Sequence, residues 1–302
     1  MCGRYALGLQ RAEIRALPGY PNLEVAEWVN EDNFIVSSAL NTKANHNILP
    51  EIQPRHNIAP NSQAPVIRRR NDSSPDLQMQ TMRWGIPYGK VHAKNQQAIN
   101  ARSENIMEGA GMWNRYRGSN RCIVVSQGYY EWQTKGKDKL PHFTKHADGK
   151  LMLMAGFYHV SDETIPTSVF AIITTSASKS LSWLHDRQPV ILTSHADITK
   201  WLDTSSHAWS AELGKLLQSA EGLMCYQVPK EVGKVGAESP AFVQPVATRK
   251  DGIEAMFAKQ RTKQENKQSI KRKRSVSPVL SSMQFEAATK EDETKGKKPK
   301  VE

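Results

Sequence analysis

Cysteine is scarce in this sequence, and long apolar runs are missing from it. Three cysteines (Cys2, Cys122 and Cys225) are spread over 302 residues. They match no zinc spacing and leave no complete disulfide framework, so we expect reduced thiols inside the cell. The longest apolar run, residues 151–158, is far below the roughly 20 residues that span a bilayer, and no secretory signal follows Met1. We predict no membrane segment, no metal and no cofactor.

Negative charge is also in short supply. The chain has 41 Lys and Arg against 30 Asp and Glu, a formal net charge of +11. Residues 251–302 hold 13 basic and 8 acidic side chains, so the excess is shared between this segment and the rest of the chain. A basic protein suits a polyanionic partner such as nucleic acid.

Composition divides the chain near residue 250. Beyond about residue 258 it shifts to Lys, Gln, Glu and Ser, which bury too little apolar surface to offset the entropy of ordering. We predict one domain over residues 2–250 and a disordered basic tail over 251–302. The tail carries KRKR at 271–274 and KGKKPK at 295–300, clusters typical of nuclear import; a solvated charge run is the alternative for each. We expect a nuclear protein, with the cytoplasm as a second location.

Short strands and helices without regular alternation predict an α+β fold for the domain. Runs rich in β-branched and aromatic residues predict strands at 121–132, 151–160, 169–175 and 189–193. Apolar spacing predicts helices at 11–17, 24–29, 104–116 and 210–220. The polar stretch 30–53 is interpreted as a loop insertion.

Cys2 is the most informative residue. Initiator methionine is normally removed before a small side chain, which would leave Cys2 with a free α-amine beside its thiol. In unstructured peptides the pKa values of these two groups are about 7.7–8.0 and 8.5, so both are nucleophilic near neutral pH. The amine forms a Schiff base with an aldehyde, and the thiol then closes a five-membered thiazolidine. An accidental cysteine at this position is the alternative.

Four further segments carry polar groups suited to chemistry: Arg55-His-Asn-Ile-Ala-Pro60, Asn100-Ala-Arg-Ser-Glu104, Gly128-Tyr-Tyr-Glu-Trp132 and His185-Asp-Arg-Gln-Pro189. Taken singly, each has a plain explanation as a turn, a cap or a surface strand.

In this order after Met1-Cys-Gly-Arg4, and together with Arg83-Trp-Gly85, these segments resemble the SOS-response-associated peptidase (SRAP) family of abasic-site-processing proteins over residues 2–247. The resemblance implies a single compact domain with a largely antiparallel, barrel-like β core, peripheral helices and a basic cleft for single-stranded DNA. It implies that Cys2 captures the aldehyde of an abasic site as a thiazolidine, and that Asn100, Glu131 and His185 complete the site.

Each of these side chains has a chemical role that fits. Asn100 does not titrate, so it would orient the Cys2 amine or a sugar oxygen. Glu131 would exchange protons during imine formation, and His185 would assist opening of the sugar ring. A Schiff base acidifies the neighbouring sugar carbon, which makes β-elimination of the 3′ phosphate an expected lyase activity. Autoproteolysis of residues before Cys2 is a further expected activity.

An abasic site has no base to recognise, so binding must use phosphates and neighbouring bases. The predicted contacts are three phosphate-binding arginines, two residues that wedge or stack against flanking bases, and one residue that lines the cleft: Arg4, Arg102, Arg187, Trp84, Pro60 and Thr174. For Trp84, packing in the core is the alternative.

Three function classes remain open. The first is covalent capture of abasic sites in single-stranded DNA, which alone uses the N-terminal position of Cys2. The second is a cysteine peptidase with His185 as base, and the third is a basic nucleic-acid-binding module without catalysis. Residues 251–257 loosely resemble clamp-docking peptides, which suggests replication-fork proteins as partners; a terminal helix turn is the alternative and explains the segment better. A monomer suffices for one-to-one capture.

Overall fold

The computed structural model describes residues 2–30, 54–71, 73–89, 96–161, 167–248 and 261–262. Contacts divide the chain into a unit of residues 1–249 and a second of residues 250–302. In the second unit only Arg261 and Thr262 are described, both helical and exposed. Most of the 30–53 insertion and both basic clusters of the tail lie outside the described residues. No described helix is both long enough and apolar enough to cross a membrane.

The first unit is mixed α/β, with many strands and few helices, as predicted. Its strands are β1 (Tyr5–Leu7), β2 (Glu27–Val29), β3 (Arg55–Ile58), β4 (Gln63–Asn71), β5 (Ser74–Trp84), β6 (Ile86–Pro87), β7 (Gln97–Ala98), β8 (Asn100–Arg102), β9 (Arg121–Ser126), β10 (Gly128–Lys135), β11 (Asp138–His146), β12 (Met152–Val160), β13 (Ser168–Ser176), β14 (Arg187–Pro189) and β15 (Leu223–Gln227). Its α-helices are α1 (Arg11–Arg15), α2 (Ser103–Glu108), α3 (His195–Leu202) and α4 (Ala211–Gly214).

Two large sheets build the domain. One has the order β15-β11-β10-β1-β3. The other runs β14-β13-β12-β9-β4-β5-β2, and an added parallel pairing of β13 with β5 closes five of its strands into a ring. The other ring pairings are antiparallel, which confirms the barrel-like core predicted from the family resemblance.

The ring interior is apolar because each strand alternates towards it. Val124, Met154, Phe170 and Ile172 share this face of neighbouring strands and are fully buried. Gly156 lies where β12 runs between β9 and β13, and a Cβ added to it would come within 2.8 Å of the Ala171 carbonyl oxygen. Only glycine allows this close strand packing.

Several predicted elements were wrong in type or extent. The helix predicted at 24–29 is strand β2, because Trp28 is buried against β5 and its indole donates to Thr81 Oγ1 at 2.9 Å. The predicted strand 121–132 is two strands, β9 and β10. The helix predicted at 104–116 is interrupted after α2, where Gly109 adopts a left-handed φ of 70°.

The last two differences lie near the site and in the C-terminal part of the domain. The strand predicted at 189–193 begins earlier and ends at Pro189, and Ile191 makes only an isolated bridge to Met154. The helix predicted at 210–220 is the single turn α4. Ser210 caps it by accepting from the Leu213 backbone N–H, but the chain continues in turns rather than helix.

Candidate active site

Cys2 lies at the entrance to β1, a strand held on both sides. Tyr5 and Ala6 pair with β10, and Tyr5 and Leu7 pair with β3. The chain of Cys2 is therefore fixed relative to Glu131, four residues into β10. The Cys2 side chain is fully buried, and its thiol approaches the Arg4 carbonyl oxygen at 4.0 Å.

The Cys2 thiol is held in its protonated form. Burial, and then the nearby charge of Glu131, raise its pKa to about 12, because a thiolate in this place would lose its hydration and face a carboxylate. At neutral pH the thiol is therefore a weak initial nucleophile. This favours chemistry that begins at the α-nitrogen.

Asn100 connects the second sheet to Cys2. It begins β8, which pairs in parallel with β13, and its Nδ2 donates to the Cys2 carbonyl oxygen at 3.0 Å and to the Ile99 carbonyl oxygen at 2.8 Å. Its Oδ1 is buried and has no hydrogen-bond partner among the described residues. This acceptor is suited to an N–H or O–H group brought by the amine or by a ligand.

Glu131 reaches the same place from the first sheet. Its side chain is 7% exposed, and Oε1 accepts from the Trp132 backbone N–H at 3.2 Å. The negative charge of Glu131 contributes to the raised pKa of the Cys2 thiol. The structure thus brings Asn100 to the backbone of Cys2, and Glu131 is among the charges that act on the Cys2 thiol; the catalytic roles of these residues stay predictions.

His185 lies on the turn that leads into β14. Its Nδ1 accepts from the Arg187 backbone N–H at 3.0 Å and lies 2.7 Å from the Asp186 carboxylate. These contacts need opposite states of Nδ1, since the first needs a lone pair and the second a proton. Asp186 is 84% exposed, so water competes for its carboxylate. We therefore take the backbone bond to fix the tautomer, with the proton on Nε2.

Arg187 joins the His185 turn to the Asn100 segment. Its guanidinium donates to both carboxylate oxygens of Glu104, at 2.6 and 3.0 Å, and to the Thr174 carbonyl oxygen at 2.7 Å. The Arg187 hydrogen bonds hold the pKa of Glu104 below its usual value. Two motifs more than eighty residues apart are locked together by this fork.

Three orphaned polar atoms surround this junction. Asn100 Oδ1, Thr174 Oγ1 and Arg187 Nε are buried without hydrogen-bond partners in the described part of the chain. Buried polar groups rarely stay unpaired in a folded protein. These atoms on β8, β13 and β14 are available to hydrogen-bond with water or with a polar ligand.

The remaining predicted DNA contacts differ in exposure. Arg102 is exposed, and Pro60 is partly exposed. Arg4 is buried, with Nη1 bonded to Asn57 Oδ1 at 2.7 Å and to the Val232 carbonyl oxygen at 3.0 Å; its role at a phosphate stays a prediction. Trp84 is fully buried beside Tyr5 and donates to the Ile99 carbonyl oxygen. It has no exposed face for a base, which favours the core-packing alternative.

The family model for SOS response associated peptidase (SRAP) matches residues 1–235. The chain belongs to the SRAP family. The Saccharomyces cerevisiae abasic site processing protein is 33% identical to it over 279 residues, covering 88% of this chain and 73% of the yeast protein. Abasic site processing protein HMCES of Gallus gallus is 27% identical, with 82% and 78% covered.

Solved structures share the fold of this SRAP chain. A Bacteroides thetaiotaomicron protein aligns with a TM-score of 0.59 at 22% identity, over 81% of this chain and 99% of that protein. A phage-related protein from Bordetella bronchiseptica aligns with a TM-score of 0.54, over 76% and 95%. Likeness at this identity supports the fold alone.

Sequence reasoning gave Asn57 no role of its own in this SRAP site. Its Nδ2 donates to the carbonyl oxygens of Val232, Lys234 and Ala237 at 3.1, 3.1 and 2.8 Å, and its Oδ1 holds Arg4. This anchors the N-terminal segment to the 230–237 turn. The signal was present, since Asn57 opens the matched Asn-Ile-Ala-Pro motif. No cluster of three potential metal ligands occurs among the described residues.

Proposed function

We propose that this SRAP chain processes abasic sites in single-stranded DNA by covalent capture at Cys2. The supporting observation is the convergence of Cys2, Asn100 and Glu131, from two sheets, on one buried point. Relatives named as abasic site processing proteins, from yeast to vertebrates and bacteria, support the choice of lesion.

Capture begins when removal of Met1 frees the Cys2 amine. Asn100 Oδ1 accepts an N–H of that amine and directs its lone pair at the ring-opened aldehyde. The nitrogen adds to the carbonyl carbon, protons move to the oxygen, and water leaves to give a Schiff base. Glu131 carries these protons, because it is the carboxylate beside the sulfur.

Ring closure then uses the thiol. The sulfur forms a bond to the imine carbon, and the thiol proton passes through Glu131 to the imine nitrogen, so atoms and charge balance. Burial of the sulfur opposes its ionisation and keeps the thiol protonated until the imine is in place. His185 serves the preceding step by exchanging protons with the sugar ring oxygen. Loss of the 3′ phosphate from the imine is the competing lyase reaction.

The cysteine peptidase hypothesis fits the geometry less well. A peptidase needs a thiolate–imidazolium pair, whereas burial and Glu131 oppose the thiolate and His185 Nδ1 is engaged by its own turn. We restrict peptidase activity to the residue before Cys2. Replication-fork partners, a monomeric state and nuclear location are further parts of the proposal.

The decisive experiment mixes Met1-processed protein with single-stranded DNA bearing one abasic site, followed by a denaturing gel and intact mass spectrometry. We expect an adduct at Cys2 and none with undamaged DNA. Cys225→Ser is the matched thiol control and keeps the adduct. Cys2→Ser keeps the amine, so it yields a product only when borohydride traps the Schiff base. Full crosslinking by Cys2→Ala would refute the proposal, and no adduct from folded protein with free Cys2 would favour plain binding.

A further inference from the structure

Trp183 is an exposed aromatic ring two residues before His185. It is 49% exposed, whereas Trp84, Trp201, Trp28 and Trp113 are buried. Tryptophan is enriched at binding interfaces relative to the rest of a protein surface, and proteins that bind single-stranded nucleic acid stack bases on aromatic side chains.

The Trp183 ring is held in place rather than free to rotate. Its indole N–H donates to the Ser180 carbonyl oxygen at 2.9 Å, and the flanking Leu181 and Leu184 are buried. The indole therefore uses its polar atom internally and presents apolar surface to solvent. A ring fixed in advance loses little entropy when a ligand packs on it.

His142 braces the other side of the ring and locates it relative to Glu131. The His142 and Trp183 rings meet edge to face at 5.2 Å, with an interplanar angle of 82°, and His142 Nδ1 is fixed by the Leu140 carbonyl oxygen at 2.9 Å. His142 lies directly opposite Glu131 in the β10–β11 pair. Opposite side chains in an antiparallel pair share a face, with Cβ atoms about 4.5–5.5 Å apart.

Trp183 thus lies beside the site, one side chain away from Glu131 and two residues from His185. A strand whose abasic sugar reaches Cys2 must place its neighbouring nucleotides along the rim of this site. Every nucleobase offers a π-face, and stacking on an aromatic side chain strengthens single-strand binding by about 5- to 150-fold per base.

We propose that Trp183, braced by His142, is a stacking platform for the nucleobase next to the abasic sugar. This inference rests on the proposed function, because it takes the DNA to be positioned by the lesion at Cys2. It explains why an apolar ring is kept exposed in a fixed orientation at this turn.

The test removes the ring and the base separately. Two single-stranded DNAs carry tetrahydrofuran, a lesion analogue without an aldehyde: one has normal neighbours, and in the other both neighbouring nucleotides are also tetrahydrofuran. Fluorescence anisotropy gives the Kd of wild-type protein and of Trp183→Ala for each. We expect a 5- to 150-fold loss with the first DNA and less than a twofold loss with the second. Trp183→Phe keeps most of the affinity.

Tyr88→Ala is the matched control, because Tyr88 is also an exposed aromatic residue, 46% exposed, and it follows β6 rather than leading into β14. It should change neither Kd. Equal losses of Trp183→Ala on both DNAs, or no loss on either, would overturn the stacking platform; the second result would point to a protein partner for this ring. The anisotropy experiment measures non-covalent binding to DNA without an aldehyde. A failure of the proposed covalent capture would therefore appear in the crosslinking experiment and not in this one.

Discussion

At the scale of single residues, the site is defined by what burial does to Cys2. A thiol is usually regarded as the stronger nucleophile of an N-terminal cysteine. Here the raised thiol pKa favours the amine as the first nucleophile in the proposed capture. In that proposal Glu131 links the two steps, because its charge acts on the sulfur and its carboxylate carries protons between the reacting atoms.

Glu131→Gln should slow adduct formation by about 100- to 10,000-fold, the usual contribution of a general acid–base group. The amide fits the same space but carries no proton between nitrogen, oxygen and sulfur. Single-turnover rates on denaturing gels measure this. The exposed Glu212→Gln is the control, and a rate within twofold of wild type would remove Glu131 from the chemistry.

The thiol pKa predicts the pH dependence of alkylation. In folded protein, Cys2 should react with iodoacetamide far more slowly than in unfolded protein at pH 8, and its rate should still rise between pH 9 and about 12. The sign follows because burial favours the neutral thiol, so ionisation is delayed to higher pH. Peptide mass spectrometry after timed quenching reports Cys2 separately from Cys225. Equal rates in both states would contradict the buried thiol.

At the scale of elements, the site depends on ties between segments that neither sheet provides alone. The Arg187–Glu104 fork fastens α2 to β14, and β8 brings Asn100 to the first sheet. The sequence predicted the residues but not this fork, because Glu104 looked like part of a helix first turn. The β13–β5 pairing that closes the ring was also not predicted from the sequence. It pairs residues that are far apart in the sequence, such as Arg83 with Val169.

Glu104→Gln should lower the free energy of unfolding by about 1 kcal/mol at pH 7, a modest value because the carboxylate is 43% exposed. The depressed pKa of Glu104 means that the fork stabilises the fold above the unfolded-state pKa and is lost as pH falls through the folded one. Urea melts at pH 7 and pH 3 should show the mutant difference shrinking in acid. A constant difference would show that the charge is not responsible.

Gly156→Ala should destabilise the barrel by about 1–3 kcal/mol, since the new methyl group overpacks the gap between β9 and β13. Thermal or urea unfolding measures the change. Gly233→Ala is the control, because an added Cβ there meets nothing within 4 Å. Unchanged stability of Gly156→Ala would mean that the strands separate without cost.

At the scale of the whole molecule, sequence periodicity predicted strands that overlap β9, β10, β12, β13 and β14, but it did not predict the long strands β4, β5 and β11. Ordered motifs predicted the candidate site residues. The sequence-based prediction was wrong where tertiary contacts decide the local structure. Trp28 packs against β5, so a segment with a helical pattern forms an edge strand. Trp84 is buried in the core, which favours the packing alternative over a DNA contact. The sequence did not predict a role for His142 and Trp183, because the two residues are far apart in the sequence and their rings meet only in the folded protein. The net positive charge predicted a polyanionic partner but not the surface to which that partner binds.

Arg102→Ala should flatten the salt dependence of single-stranded DNA binding by about 0.7 in the slope of log K against log salt, the loss of one phosphate contact. Arg102 is exposed beside Asn100. Anisotropy titrations at several salt concentrations measure the slope. Lys137→Ala, exposed at the β10–β11 turn, is the control, and an unchanged slope for Arg102→Ala would place the phosphates elsewhere.

The double pairing of β1 has a mechanical consequence. In the proposed adduct, a DNA strand bonded to Cys2 would pull on the end of a strand that lies between β10 and β3, so tension along β1 would load its backbone hydrogen bonds together, in shear, rather than one after another. Close to Cys2 in the sequence, Arg4 is hydrogen-bonded to Asn57, which in turn donates to the 230–237 turn. A force applied to the proposed adduct would therefore act on a strand that is hydrogen-bonded along both of its edges, which resists being peeled from the fold.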